Sequence, residues 1–318
     1  MIKIKSIYGN LLKSNDYAEL LKLPDIYQLV QYLKSNDNYS STNFEIFSNG
    51  DRVKIENSLR ASWIKIYKRI LSFSPSSNIK FLDLLFFKED IEYISNFIKK
   101  GVVSKGYVHP ELKKLYINDT VSILSVLKHT PYYNLFFDNC ENNIFNLERI
   151  KASSISYFFK VASTMFYENY KGKTRTYLLN LLSLWVENTN LVSVYRIKKY
   201  YPSTSQLSPY LITNEHLPLS KKVLSVLSSE SPSQVLDILN KKCLSGYNAN
   251  AFYANIELLS SIINNKEAKK HIYYSTNLEI CFLSFFIVSQ TEKDNIIRII
   301  EGKRYNLTGV EVNSILVY

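Results

Sequence analysis

The stretch Asn190-Leu191-Val192-Ser193-Val194-Tyr195-Arg196-Ile197-Lys198-Lys199 decides how this chain reads, because it recurs in altered form. An earlier copy is Asp90-Ile91-Glu92-Tyr93-Ile94-Ser95-Asn96-Phe97-Ile98-Lys99-Lys100-Gly101. A later one is Asn295-Ile296-Ile297-Arg298-Ile299-Ile300-Glu301-Gly302-Lys303-Arg304. Ile91, Ile94, Phe97 and Ile98 fall three and four apart, the spacing of one helix face. Each copy closes on cations, which complement the partial negative charge of a helix C-terminus. Aligned on Tyr93, Asn190 and Asn295, the copies stand 97 and 105 residues apart.

A second motif recurs ahead of the first. It reads Pro24-Asp25-Ile26-Tyr27-Gln28-Leu29-Val30-Gln31-Tyr32-Leu33-Lys34, with Tyr39 beyond. It returns as Asp119-Thr120-Val121-Ser122-Ile123-Leu124-Ser125-Val126-Leu127-Lys128, followed by Thr130-Pro131-Tyr132-Tyr133. The third copy is Pro232-Ser233-Gln234-Val235-Leu236-Asp237-Ile238-Leu239-Asn240, with Tyr247 beyond. Anchored on Leu33, Leu127 and Leu239, these copies lie 94 and 112 residues apart. The leucine-to-tyrosine distance is six residues to Tyr39 and Tyr133, and eight to Tyr247. Two motifs sharing a period near 100 argue for three related helical units, expected over 1–110, 111–208 and 209–318. Short solenoid repeats run about 20–50 residues and fit that period poorly.

The composition agrees with helices. The 318 residues are 46% hydrophobic and hold only eight Gly and eight Pro, too few breakers for strands joined by tight turns. Pro24, Pro110 and Pro232 precede amphipathic runs, where a proline suits the first helical turn, and Pro202 follows one. Breaker-rich loops are expected over 72–78 and 201–209. Strict apolar/polar alternation is scarce, so the fold class is all-α.

Thirty-nine Lys and Arg against 28 Asp and Glu leave a net charge of +11. Such a balance invites a polyanion or an anionic surface. However, the wealth of Lys, Asn, Ile and Tyr is also the signature of an AT-rich genome, and the basic pairs are scattered. Cys140, Cys243 and Cys281 form no Cys-x-x-Cys, which points to the cell interior and away from zinc or redox chemistry. No apolar segment follows the opening Met-Ile-Lys-Ile-Lys-Ser, so no secretory signal is expected. The greasiest runs, 81–87 and 280–288, are far shorter than the roughly 20 residues that span a bilayer.

No catalytic constellation assembles. Gly172-Lys173-Thr174 has the ending of a phosphate-binding loop, but position 167 is Tyr where that loop needs Gly. His109, His129, His216 and His271 lack partners at metal-ligand spacing, Asp83 and Asp90 stand singly, and no Gly-x-Ser-x-Gly elbow occurs. We therefore expect no cofactor, no metal and no enzymatic activity of the chain's own. The rival class is a basic all-α nucleic-acid-binding or scaffold protein, for which tyrosine-rich basic helices such as Tyr195–Tyr201 would supply phosphate contacts and stacking faces.

Three segments resemble the C-type family of central-stalk components of V-type and A-type rotary ATPases (ATP synthases), whose eukaryotic V-ATPase members carry the letter d. The opening Gly9-Asn10-Leu11-Leu12-Lys13-Ser14-Asn15-Asp16-Tyr17-Ala18-Glu19-Leu20-Leu21 is similar to the family's entry segment. Asn190–Lys198 resembles its Asn-Leu-Lys-x-x-Leu-Arg motif, and Asn295–Lys303, with Leu307-Thr308 and Val312, its closing segment. Tyr93 departs from the family's Asn, and Glu301 stands where the second copy has Arg196. The resemblance implies three similar helical lobes in a funnel around a pseudo-threefold axis. It implies a peripheral, non-catalytic adaptor on the cytoplasmic face of the membrane, monomeric when isolated and binding no nucleic acid. Its partners would be the proteolipids of the rotor ring and the D and F components of the central shaft, and it would couple ATP hydrolysis or synthesis to H⁺ or Na⁺ translocation. Lys99, Arg196, Lys198, Lys303 and Arg304, at matching helix ends, are the candidate partner contacts.

Overall fold

Asparagine and aspartate begin many of the helices, because their short side chains accept a hydrogen bond from an otherwise orphaned N–H of the first turn. In a computed structural model of the chain, Asp25 accepts from Gln28 N–H and starts the helix Ile26–Ser35, while Asn146, Asn255 and Asn277 do the same for later helices. The structure describes residues 2–40, 52–72, 84, 86–101, 110–115, 118–204, 206–228, 231–244 and 255–318. Among them the fold is all-α, as expected. The extended pairing is a two-residue hairpin, Cys140–Glu141 against Ile144–Phe145, and one isolated bridge. Asn142 and Asn143 turn that hairpin with φ of 50° and 60°, the left-handed pair that a type I′ turn requires.

The chain divides into two compact units. The first takes Met1–Ser72, Thr176–Leu211 and Leu219–Tyr318. It holds α1 (Ile2–Gly9), α2 (Ser14–Lys22), α3 (Ile26–Ser35) and α4 (Arg52–Leu71). After the second unit's helices it resumes within α9 (Gly172–Tyr200) and continues through α10 (Lys221–Leu227), α11 (Pro232–Leu244), α12 (Ile256–Tyr274), α13 (Leu278–Arg304) and α14 (Gly309–Asn313). The second unit takes Phe73–Arg175 and Ile212–Pro218. It holds α5 (Phe87–Lys100), α6 (Thr120–Leu127), α7 (Tyr133–Phe137), α8 (Leu147–Asn169) and the first turn of α9. Pro110 opens a 3₁₀ turn, Pro110–Lys114, where an amphipathic α-helix was expected. The short Pro-Glu-Leu-Lys-Lys run buries Leu112 and then leads to Leu115, too little apolar face for a longer helix.

The 280–288 run lies in the N-terminal half of α13 and is buried at every position. It packs Phe282, Phe285 and Phe286 against Tyr67 of α4, with ring centroids 6.5, 6.3 and 6.1 Å apart. A helix apolar on all sides that finds partners on all sides is a core helix. Among the described residues, no helix is long and apolar enough to cross a membrane.

The sequence repeat reappears as a repeat of burial. One residue after each anchor of the first motif lie Ile94, Leu191 and Ile296, all fully buried. Four residues after it lie Phe97, Val194 and Ile299, again buried to within 1%. The second motif behaves alike. Leu33, Leu127 and Leu239 are at 0%, and Leu29, Ile123 and Val235, four residues earlier, are at 0–1%. Eight residues before each leucine stands a helix-starting acceptor. Asp25 takes Gln28 N–H at 2.7 Å, Asp119 takes Ser122 N–H at 2.9 Å, and Ser231 takes Ser233 N–H at 3.3 Å. Unrelated amphipathic helices would share neither the phase of their buried stripe nor the position of their caps. Tyr247 of the third copy lies outside the described residues, as do His109 and Asp83.

One close approach is testable directly. A methyl group on Gly302 would collide with the side chain of Val312 in α14, whereas one on Gly9 meets nothing within 4 Å. Gly302→Ala should destabilise by about 1–3 kcal/mol, the usual cost of overpacking, and Gly9→Ala should not. Equal melting temperatures for the two variants would contradict this packing.

Candidate functional site

A carboxylate drawn out of water occupies the same position in all three copies of the first motif, three residues before the anchor: Asp90, Glu187 and Glu292. Asp90 and Glu292 are buried, and the Glu187 side chain is 13% exposed. A buried charge is costly unless hydrogen-bonded or paired. Each of these carboxylates is met by a residue that follows the second motif of the next copy. In the second unit, Tyr132, just past the α6 motif, donates its hydroxyl to Asp90 Oδ2 at 2.5 Å. In the first unit, Lys242, just past the α11 motif, pairs with Glu187, and also donates to Asn188 Oδ1 at 3.0 Å. Also there, Tyr39, just past the α3 motif, donates to Glu292 Oε1 at 2.7 Å. The last copy thereby returns to the first in the order of the sequence.

The expected tyrosine of the α6 copy is corrected by one place. Tyr132 is the fully buried ring that meets Asp90, while Tyr133 is half-buried and begins α7. Asp90 is the first member of this set.

The three latches differ in charge. Burial raises the Glu187 carboxyl, but hydrogen bonds from Lys242 and Ser220 and the charges of Lys242 and Lys222 outweigh it and hold its pKa below the usual value. Glu292 has no cation within ion-pair distance among the described residues. Its Oε2 accepts Leu12 N–H at 2.7 Å, and burial, partly offset by the Tyr39 and Leu12 hydrogen bonds, raises its pKa to about 7. Next to it, Asn295 donates Nδ2–H to Val317 C=O at 2.6 Å and accepts Val317 N–H on Oδ1 at 3.0 Å, pinning the C-terminal segment.

The five candidate cations sit at helix ends, as their sequence positions require, with different surroundings. Arg196 is exposed and pairs with Glu257 of α12, Nη2 to Oε1 at 2.6 Å. Lys198 is half-buried and donates to Leu227 C=O at 3.3 Å. Lys303 donates to Leu23 C=O, and burial lowers its pKa. Lys99 and Arg304 are exposed and make no ion pair among the described residues. The buried carboxylates escape a reading of the sequence because an isolated Asp or Glu in a helix normally faces water. Extending the alignment three residues upstream of the anchor exposes them.

Gly172-Lys173-Thr174 forms the first turn of α9. The Tyr167 ring stacks on His216 at 4.2 Å with Arg175 at 4.6 Å from its centroid, so an aromatic stack fills the place of a glycine nest. Among the described residues no group of His, Cys, Asp or Glu could hold a metal ion.

The described residues are all-α and carry a threefold internal register of buried positions. The family model of the ATP synthase (C/AC39) subunit matches residues 3–314, and the chain belongs to that family. It is thus a subunit of a V/A-type ATPase, as the three resembling segments implied. No curated protein matches it.

Proposed function

We propose that the chain is the non-catalytic adaptor of the rotor, seated on the cytoplasmic side of the proteolipid ring and socketing the central shaft. In this reading the three repeats, over 1–110, 111–208 and 209–318, form three lobes about a pseudo-threefold axis and transmit torque between ATP turnover and H⁺ or Na⁺ movement. The observation that carries it is the threefold burial register together with family membership. A torque-bearing part has to resist shear. Carboxylates that tie each repeat to the next supply directional bonds that apolar packing alone lacks. Lys99 and Arg304, exposed and without ion pairs among the described residues, are the favoured cations for contact with acidic groups of the shaft or ring. Arg196, Lys198 and Lys303 each already serve a partner within the chain.

The deciding experiment is capture of the tagged protein from its own cells in mild detergent. Shaft and ring proteins should come with it. Recovery of RNA or DNA in their place would favour the basic-scaffold alternative.

Arg196 allows a finer test. Its pair with Glu257 is exposed and therefore worth little to stability. Arg196→Glu should leave helicity unchanged while weakening capture and uncoupling ATP hydrolysis from ion transport. If Arg196 serves only Glu257, the double exchange Arg196→Glu with Glu257→Arg restores coupling. If it serves another protein of the rotor, the double exchange does not.

A further inference from the structure

A cavity of about 1060 Å³ opens inside the first unit, between α1, α12, α13 and the C-terminal segment. That volume is at the upper end of the roughly 300–1,000 Å³ typical of small-molecule sites. Its walls are largely apolar: Leu11 and Leu12 precede α2, Ile262 and Ile272 come from α12, and Leu316 and Val317 from the C-terminal segment. Among the described residues four lysines border it, Lys5, Lys13, Lys266 and Lys269, against a single acidic side chain, Glu292. Both Glu292 oxygens are already taken, one by Tyr39 and the other by Leu12. The lysines thus outnumber the acidic side chains on the cavity wall. Lys269 is half-buried, feels the Glu292 charge without forming an ion pair, and has its pKa lowered by burial. Asn265, 1% exposed, also lines the cavity, and its Oδ1 has no hydrogen-bond partner among the described residues.

An ammonium kept partly out of water beside apolar walls is unfavourable until an anion arrives. We propose that this cavity binds one amphipathic anion, an apolar body with a carboxylate or phosphate head, its head on Lys269 and Lys266 and its body against Leu316, Val317 and Ile272. The charge balance selects the head and the wall chemistry selects the body. Neutral apolar molecules lack the first, and inorganic anions lack the second. This inference is independent of the adaptor reading, since it concerns a pocket within one unit.

The test is calorimetric titration of the full-length protein with decanoate and with decyl phosphate, both below micelle formation, and with decanol as the neutral match. One saturable site per chain is expected for both anions. Decanol should bind at least about tenfold more weakly, because it forfeits a charge-assisted hydrogen bond. Lys269→Gln should bring the anions down to the decanol level with no loss of melting temperature, and Lys266→Gln should weaken them in the same direction. Saturable binding of one head group but not the other would still support the site and identify its source. No saturable binding of either anion, equal binding of decanol, or affinities unchanged in both lysine variants would overturn the proposal. Binding to anionic vesicles without binding of the monomeric anions would overturn it too, by making the lysines a surface patch.

Discussion

Asn295→Leu is expected to lower the melting temperature sharply and to free the C-terminal segment. The Asn295 amide meets both Val317 backbone groups, in surroundings where Val317 is 2% exposed. Leucine matches the volume but leaves one N–H and one C=O buried and unmet. Each such group costs about 1–3 kcal/mol, so the pair should cost roughly 2–6 kcal/mol. Arg298 Nη1 also donates to Ile315 C=O at 3.0 Å, so part of the segment stays tethered. Hydrogen exchange should therefore accelerate most at Val317 and its neighbours. An unchanged exchange rate at the Val317 amide would show that the clamp does not hold the segment.

Glu292→Gln should do the opposite, and only at neutral or higher pH. The folded pKa of Glu292, about 7, lies above the ordinary 4.5. The folded state therefore holds the proton more tightly than the unfolded chain does. Its contribution is fully present below pH 4.5 and is lost as the pH rises to about 7. At about 1.4 kcal/mol per pH unit across that window the loss is roughly 3 kcal/mol. A glutamine carries no charge to lose. Its carbonyl can still accept from Leu12 N–H, and its amide can donate to the Tyr39 hydroxyl once that hydroxyl turns to accept. Melting temperatures of the wild type should fall between pH 5 and 7 and then level off, while those of Glu292→Gln stay flat through this range. Parallel curves for the two proteins would remove Glu292 as the titrating group. Glu187, held below its usual value by Lys242, should contribute no such slope near neutrality.

These effects were partly legible in the residues alone. The amphipathic period of Ile91, Ile94, Phe97 and Ile98 required a helix with one buried face, and the same phase at Asn190 and Asn295 required relatives of it. Burial follows directly from such a pattern because apolar side chains three and four apart share one side of the helix. The capping acids Asp25 and Asp119 were likewise readable, since their hydrogen bonds reach only three residues along the chain. What the repeat could not supply was the depth to which a polar residue sinks. Asp90 and Glu292 look like ordinary helix acids until the hydroxyls that meet them, 42 and 253 residues away, are brought alongside. The same limit explains the misplacement at Tyr132 and Tyr133. Counting from a leucine cannot tell which of two adjacent rings will face a partner on another helix.

The cations divide in the same way. Their positions at helix ends were set by the sequence, because a last turn attracts positive charge wherever it lies. Tertiary structure alone decided that Arg196 would reach Glu257, that Lys198 and Lys303 would turn to backbone carbonyls, and that Lys269 would stand at a cavity wall beside Glu292 without an ion pair to it. Local order in this protein is encoded by neighbours within about a helical turn. Hydrogen bonds and ion pairs between repeats depend on side chains that meet only once the helices have packed, because their energies fall off within a few ångströms of contact.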